Sequence, residues 1–134
     1  MTALVRLDRR IEHIDTDAAG VVHFTRYLSL LESAVLENLD RLGIGLAALA
    51  ENGTSLVVVE SRLRHQASAR FLDDVGIDVS VSHLGAASLR ISGTVSGPHG
   101  PLATGTLAFG FVDTQGSPAV IPARIATVLK ELLR

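Results

Sequence analysis

The chain is organised around residues 15–28, which read Asp15-Thr16-Asp17-Ala18-Ala19-Gly20-Val21-Val22-His23-Phe24-Thr25-Arg26-Tyr27-Leu28. Two carboxylates and a glycine stand here between a strand-like segment and the start of a helix. A helix N-terminus gathers unpaired backbone N–H groups and the positive end of a dipole. A carboxylate beside such an end can act as base or nucleophile while the N–H groups hold an oxyanion. We therefore expect a candidate catalytic site at this junction.

A long helix follows this loop. Apolar residues recur at helical spacing from Tyr27 to Leu42, and their wide arc predicts a helix that is largely surrounded by protein. Thr25 is predicted as the N-cap, because its hydroxyl can accept a hydrogen bond from a first-turn N–H. Gly43 predicts the end of the helix.

The remaining segments mostly show the two-residue period of strands. Before the loop, Val5, Leu7 and Ile11 share one parity and charged residues fill most of the other, which predicts a strand with one wet face. Further on, a short helical turn is predicted at Leu46–Ala50, and Pro122 predicts the first turn of a last helix. Between these two helical segments we predict four strands, namely Leu56–Leu63 (interpreted as buried), 75–81, 89–95 and Leu102–Val112.

These patterns together predict the fold class. Consecutive strands joined by short turns should pair antiparallel, and one long apolar helix must be covered by the sheet available. We therefore predict an α+β fold, in which an antiparallel five-stranded sheet wraps around one long central helix. No internal repeat or linker is visible, so residues 1–134 are predicted to form a single domain.

The composition favours a folded protein without a nucleic-acid partner. Of the 134 residues, 47% are hydrophobic and 19% charged. The net charge of −2 and the pI of about 6.2 give no electrostatic footprint for nucleic acid. Cysteine is absent and the five histidines lack ligand spacing, so no metal site is predicted. No signal peptide or membrane span is visible, which leads us to expect a cytoplasmic protein.

The loop resembles the signature of a known family, the hotdog-fold acyl-CoA thioesterases of the 4-hydroxybenzoyl-CoA thioesterase type. In that family an Asp-x-Asp-x-x-Gly-Val-Val segment leads through aromatic or His residues into Tyr-Leu and a helix. The chain is also similar at Val57-Val58-Val59-Glu60, at 67–74 and in its last strand. Its likeness extends to the tol-pal-associated acyl-CoA thioesterases. The resemblance implies hydrolysis of an acyl-CoA thioester to free acid and CoA by a homodimer or homotetramer.

The resemblance also implies roles for individual residues. Asp17 matches the family's catalytic carboxylate, as nucleophile or general base, whereas Asp15 is expected to hold the loop by hydrogen bonds. In the family a main-chain N–H at the helix start polarises the thioester carbonyl, a position that falls on Phe24. His23 is expected to pack or to line the substrate, without acid–base chemistry. The full oxyanion and substrate-binding set is predicted as Gly20, Val21, Val22, His23, Phe24 and Tyr27.

Other polar residues are given structural roles. Glu32 and Asn38 lie within the apolar arc of the long helix, where an unpaired polar group is costly. We predict an ion pair or hydrogen bond for each, although another hotdog branch uses a carboxylate of this helix in catalysis. Arg62, Arg64 and Arg70 could meet CoA phosphates, but are better interpreted as solvated strand residues.

Three alternatives to an acyl-CoA thioesterase stay open. The same machinery could act on acyl-carrier-protein thioesters, or the fold could bind acyl thioesters without hydrolysing them. Asp17 argues against the binding module, since binding does not require that carboxylate. A hotdog dehydratase needs a His–acid pair that this loop does not resemble. No cofactor is expected beyond the CoA of the substrate, and the 4% aromatic content favours aliphatic acyl chains.

Overall fold

The computed structural model describes residues 3–133. A 3-10 turn at His13–Asp15 lies between the first strand and the first helix. In chain order the elements are β1 (Leu7–Arg10), α1 (Phe24–Arg41), α2 (Leu46–Glu51), β2 (Ser55–His65), β3 (Asp74–Leu84), β4 (Ser88–Gly97), β5 (Gly100–Val112) and α3 (Ala123–Leu132).

The five strands form one antiparallel sheet in the order β1-β3-β4-β5-β2. This confirms the predicted α+β class and the antiparallel pairing. The two-residue alternation of apolar side chains also identified the face of the sheet that is buried, because successive side chains of a strand point to opposite faces. The predicted inward positions that are buried are Val75, Ile77, Val81, Leu89, Ile91, Val95, Leu107, Phe109 and Phe111.

Helix α1 packs on this apolar face and contacts β2, β3, β4 and β5. Tyr27, Leu31, Ala34 and Val35 are buried against the core, whereas Glu37 and other residues on the far side are exposed. Most residues of the helix are buried or half-buried within one protomer, and its role as the central helix of a wrapped sheet stays a prediction. None of the described helices combines the length and apolar character needed to cross a membrane.

The sheet lets α1 approach closely at two paired glycines. Gly93 of β4 lies opposite Gly105 of β5, and a Cβ added to Gly93 would lie 2.5 Å from Leu31 Cδ2. A Cβ on Gly105 would lie 3.4 Å from Leu31 Cδ1 and 2.4 Å from the Arg62 carbonyl oxygen. Side chains at these positions would push α1 or β2 away, so the two glycines set the depth at which the helix is seated.

The two ends of α1 are capped in different ways. At the C-terminal end Ile44 N–H donates to Leu39 O at 2.9 Å, and Gly43 has a φ of +77°. This is a Schellman motif and confirms Gly43 as the stop. At the N-terminal end the predicted Thr25 cap is wrong, because His23 is the N-cap and Thr25 already lies inside the helix. The imidazole provides the acceptor that we had expected from a hydroxyl.

Strand β2 corrects a second prediction. It is an edge strand, hydrogen-bonded to β5 alone within the described sheet. Most of its side chains are exposed, including Val57, Val58 and Val59. The prediction of a buried strand was therefore wrong for a single protomer. A run of valines indicates an apolar face that tends to be buried, but it does not show whether the same chain or a second chain buries it.

The turn between β2 and β3 contains a strained residue. Asp73 N–H donates to Arg70 O at 3.0 Å and the Asp73 carboxylate accepts from Arg70 N–H at 2.9 Å. Between them Leu72 has a φ of +74° while its side chain is 56% exposed. A residue with a Cβ pays about 1–2 kcal/mol for this left-handed conformation, and the exposed leucine recovers little of that cost by burial.

Leu72→Gly is expected to raise the free energy of unfolding by about 0.5–1 kcal/mol. Glycine relieves the left-handed strain, and its greater freedom in the unfolded chain offsets part of the gain. Urea unfolding followed by circular dichroism measures the change. Leu72→Ala is the matched control, since it keeps the Cβ and should alter stability by less than about 0.5 kcal/mol. A loss of stability in the glycine variant would contradict the assignment of strain.

Candidate active site

The Asp17 loop is a tight turn held by its own backbone. Asp17 N–H donates to Val21 O at 2.9 Å, and Gly20 N–H donates to Asp17 O at 3.0 Å. Gly20 has a φ of +81°, a conformation that glycine adopts without the steric cost other residues pay. The turn therefore fixes the backbone of Asp17 and explains the glycine at position 20.

The Asp17 carboxylate lies at the surface of the protomer. Its Oδ1 accepts from Ala19 N–H at 2.8 Å, which makes an Asx turn. Among residues 3–133 it takes part in no ion pair. The carboxylate is thus oriented by one backbone donor and remains accessible to a bound molecule.

Asp15 differs from Asp17 in its burial and in its hydrogen-bond partners. Its side chain is buried, with Oδ2 accepting from Glu12 N–H at 2.8 Å. Oδ1 accepts from Arg26 Nη2 at 2.7 Å and from Arg26 Nε at 2.9 Å, and the Asp15 carbonyl accepts from His23 N–H at 2.8 Å. Asp15 therefore holds the loop against the first turn of α1, as the sequence predicted.

Tyr27 supports the loop from behind. The side chain is 0% exposed, and its hydroxyl accepts from Ala69 N–H at 3.0 Å. The Ala69 carbonyl in turn accepts from Val22 N–H at 2.8 Å. A chain of hydrogen bonds thus runs from α1 through Ala69 to the loop. We therefore assign the Tyr27 side chain to holding the loop, in place of the predicted contact with substrate.

The first turn of α1 brings backbone N–H groups next to this loop, and His23 occupies two of them. Thr25 N–H donates to His23 Nδ1 at 3.3 Å and Arg26 N–H donates to His23 O at 2.9 Å. Phe24 N–H has no acceptor within residues 3–133, and the same is true of Val21 N–H. The Phe24 ring is 60% exposed and stacks on the His23 ring with centroids 4.7 Å apart. An accessible carboxylate and an unoccupied helical N–H therefore belong to one short segment.

A family model described as the thioesterase-like superfamily matches residues 11–131. The chain belongs to this superfamily. It is thus a thioesterase, as the resemblance of the Asp17 loop predicted, and the match begins just after β1 and includes the whole loop and strands β2 to β5.

The thioesterase has relatives among curated proteins and solved structures. It is 31% identical over 101 residues to 1,4-dihydroxy-2-naphthoyl-CoA hydrolase of Synechococcus elongatus, a match that covers 74% of each chain. A hypothetical protein from Thermus thermophilus is 28% identical with a TM-score of 0.88, over 95% of this chain and 98% of that one. A thioesterase from the same organism, solved with coenzyme A and zinc, is 24% identical with a TM-score of 0.81, over 95% and 92%. These neighbours confirm the hotdog fold.

Six of the predicted site residues of the thioesterase lie together in the loop and at the helix start, and Tyr27 lies behind them. Within the loop, the N–H groups of Gly20, Val22 and His23 are already donated to protein carbonyls. Sequence reasoning missed Ala69, whose backbone links Tyr27 to the loop. A contact between residues 42 positions apart leaves no periodic signal, so only the similarity of residues 67–74 to the family could have indicated it.

Glu32 and Asn38 of the thioesterase behave differently from one another. Asn38 is buried and clamps the N-terminal segment, because Oδ1 accepts from Val5 N–H at 2.8 Å and Nδ2 donates to Val5 O at 3.0 Å. This confirms its structural hydrogen bonding. Glu32 is half-buried and makes no hydrogen bond or ion pair with the described residues of its own protomer. The ion pair or hydrogen bond predicted for Glu32 is therefore not found among the described residues.

The arginines considered for CoA lie in two places. Arg70 pairs with Val21 through a backbone bridge beside the loop. Arg62 and Arg64 border a shallow depression of about 550 Å³ on the sheet face opposite α1, whose lining contains no residue of the Asp17 loop. The predicted interpretation of Arg62 and Arg64 as solvated strand residues fits this location.

Away from the candidate site, the charged side chain of Arg6 pairs with that of Asp78 in β3. Arg6 Nη2 donates to Asp78 Oδ2 at 2.7 Å, and this hydrogen bond raises the pKa of Arg6. Both side chains are about half exposed, so the pair contributes little to stability. No group of three or more His, Asp or Glu side chains within residues 3–133 has an arrangement suited to a metal ion.

Proposed function

We propose that this thioesterase hydrolyses acyl-CoA thioesters with Asp17 as the catalytic carboxylate. The observation that carries the proposal is the accessible Asp17 carboxylate on a hydrogen-bonded turn, which is followed by a helix whose Phe24 N–H has no acceptor within residues 3–133. The Synechococcus relative is by name a hydrolase of a CoA thioester. The Thermus thioesterase described above was solved as a complex with coenzyme A.

In the proposed reaction Phe24 N–H donates a hydrogen bond to the thioester oxygen, which gains negative charge as the carbonyl carbon becomes tetrahedral. Asp17 acts in one of two ways. Its carboxylate adds to the carbonyl carbon and expels CoA thiolate, giving an anhydride that water cleaves, or it takes a proton from the water that adds to that carbon. Both routes end in a carboxylic acid and the CoA thiol, and neither uses a cofactor beyond the CoA of the substrate.

The structure changes our expectation for the acyl group. The low aromatic content favoured aliphatic chains, yet Phe24 and His23 form an exposed aromatic stack at the helix start. Aromatic faces of this kind suit planar groups, and the Synechococcus relative acts by name on a dihydroxynaphthoyl group. We therefore include aromatic acyl-CoAs in the proposed substrate class.

A panel of acyl-CoAs tests this function, with thiol release followed by a chromogenic thiol reagent. We expect turnover of at least one CoA thioester, with aromatic and aliphatic acyl chains compared at equal concentration. If the enzyme cleaves acyl-carrier-protein thioesters and no acyl-CoA, the natural substrate carries its acyl group on the carrier protein. Saturable binding of acyl-CoA without thiol release would identify the non-hydrolytic binding module and contradict the proposal.

We also keep three predictions from the sequence as part of this proposal. They are a cytoplasmic location, a likeness to the tol-pal-associated enzymes, and a role for α1 as the central helix of a wrapped sheet. Assembly into a homodimer or homotetramer belongs with them. Its physical support is β2, an 11-residue edge strand with Val57, Val58 and Val59 exposed. An unpaired apolar edge favours pairing with another chain.

We expect light scattering to give at least a dimer at low micromolar concentration. Val59→Lys should shift the protein towards monomer, because a lysine on an edge strand opposes strand pairing. Val120→Lys is the matched control, since Val120 is also exposed but lies outside β2. An active wild-type monomer, or equal dissociation of both variants, would contradict pairing through β2.

A further inference from the structure

His23 contacts the start of α1 through its backbone, its imidazole nitrogen and its aromatic ring. Its N–H donates to Asp15 O at 2.8 Å, and its carbonyl accepts from Arg26 N–H at 2.9 Å. Nδ1 lies 2.7 Å from Thr25 Oγ1 and accepts from Thr25 N–H at 3.3 Å. The ring stacks on Phe24 at a centroid distance of 4.7 Å. These contacts therefore restrain the two residues that flank the His23–Phe24 peptide.

The contact with Thr25 assigns a hydrogen-bonding role to Nδ1. A backbone N–H can only donate, so Nδ1 must be an unprotonated acceptor in this arrangement. The proton of the neutral ring then resides on Nε2. An imidazole of this kind performs the task usually given to Ser, Asp or Asn at an N-cap, and in this conformation it has no free Nδ1 lone pair for acid–base chemistry.

The cap also selects which N–H remains available to a ligand. Of the first three helical N–H groups, those of Thr25 and Arg26 are taken by the side chain and carbonyl of His23. The first of the three, Phe24 N–H, has no acceptor within residues 3–133. This N–H belongs to the peptide that His23 restrains on both sides, so its direction depends on the His23 contacts.

We propose that His23 is a positioning residue, which acts as a neutral imidazole N-cap to aim Phe24 N–H at the thioester oxygen. This inference rests on the proposed function and deepens it, because it assigns to His23 a role other than contact with substrate. A donor gains catalytic value by being held where charge develops. Loss of the cap leaves the donor present but less well aimed, so we expect a smaller fall in kcat than the roughly 100-fold or more seen when an oxyanion donor is removed.

Two substitutions separate the N-capping hydrogen bond of His23 from the stacking of its ring on Phe24. His23→Phe keeps an aromatic ring against Phe24 but removes the acceptor, and we expect kcat to fall about fivefold to tenfold with KM changed less than about twofold. His23→Asn removes the ring but restores a side-chain acceptor at the N-cap, and should recover most of kcat. His99→Ala, in the exposed turn between β4 and β5, is the histidine control. Melting temperatures confirm that each variant is folded.

A measurement on the unliganded wild-type protein tests the cap without reference to activity. ¹⁵N NMR of the imidazole should show Nε2 protonated and Nδ1 unprotonated, with a signal that His23→Asn removes. A proton on Nδ1, or a His23→Phe enzyme that equals wild type while His23→Asn is impaired, would overturn the inference. A wild-type enzyme inactive on every thioester would overturn the proposed function, and the imidazole tautomer would still decide whether His23 caps the helix.

Discussion

Asp17→Asn is expected to lower kcat on acyl-CoA by about 100-fold or more, the usual scale for an acid–base or nucleophilic group. The amide keeps an oxygen that can accept from Ala19 N–H, so the turn should survive. It lacks the charge needed to attack the carbonyl or to take a proton from water. Because this interaction belongs to the transition state, KM should change little. Steady-state thiol release gives both parameters.

Two other carboxylates, Asp15 and Glu32, make this result specific. Asp15→Asn should chiefly reduce stability, by about 1–3 kcal/mol, since the buried Asp15 side chain accepts from Glu12 N–H and Arg26. Glu32→Gln should leave most of kcat intact. If Glu32→Gln abolishes turnover in a folded oligomer while Asp17→Asn remains active, the chemistry belongs to α1 and our assignment is wrong.

Gly105→Ala is expected to be the most damaging conservative substitution in the sheet, with a loss of about 3 kcal/mol in the free energy of unfolding. The added Cβ would lie 2.4 Å from the Arg62 carbonyl oxygen. That oxygen belongs to the backbone of β2, so a strand must move to relieve the clash. For a chain of this size we expect the melting temperature to fall by roughly 10 °C, as measured by calorimetry.

Gly110→Ala in the same strand is the matched control. Its added Cβ would lie 3.3 Å from Val59 Cγ1, an exposed side chain that can rotate away. We expect a change of less than about 0.5 kcal/mol for this variant. Equal losses at the two positions would mean that alanine is poorly tolerated anywhere in β5, and the close approach at Gly105 would then have no special effect.

The parts of the fold that follow from local pattern were predictable. Val75, Ile77 and Val81 were placed in the core because alternation along a strand fixes which face each side chain takes. The end of α1 at Gly43 followed from the conformational preference of glycine. The Asp17 loop was predicted for the same reason, since Asp and Gly dictate turn geometry within a few residues.

The parts that depend on distant segments were not predictable from pattern. Val57–Val59 were interpreted as buried because a valine run reports a need for cover, whereas sheet order decides which strand lies at the edge. Tyr27 was assigned to the substrate-binding set through the family resemblance, and its hydrogen bond with Ala69 was missed because the two residues are remote in sequence. Thr25 was chosen as N-cap from residue preferences in which histidine has no prominent place.

The backbone-held turn at Asp17 leaves Ala18 and Ala19 as positions that can be redesigned. Their side chains are exposed methyl groups, and the turn is closed by main-chain bonds among Asp17, Gly20 and Val21. Proline is excluded at position 19, since the Ala19 N–H orients the carboxylate. Cysteine at position 18, in a chain that has no other cysteine, would accept a single fluorescent label beside the Asp17 carboxylate. If substrate binds there as proposed, such a label would report its arrival in real time.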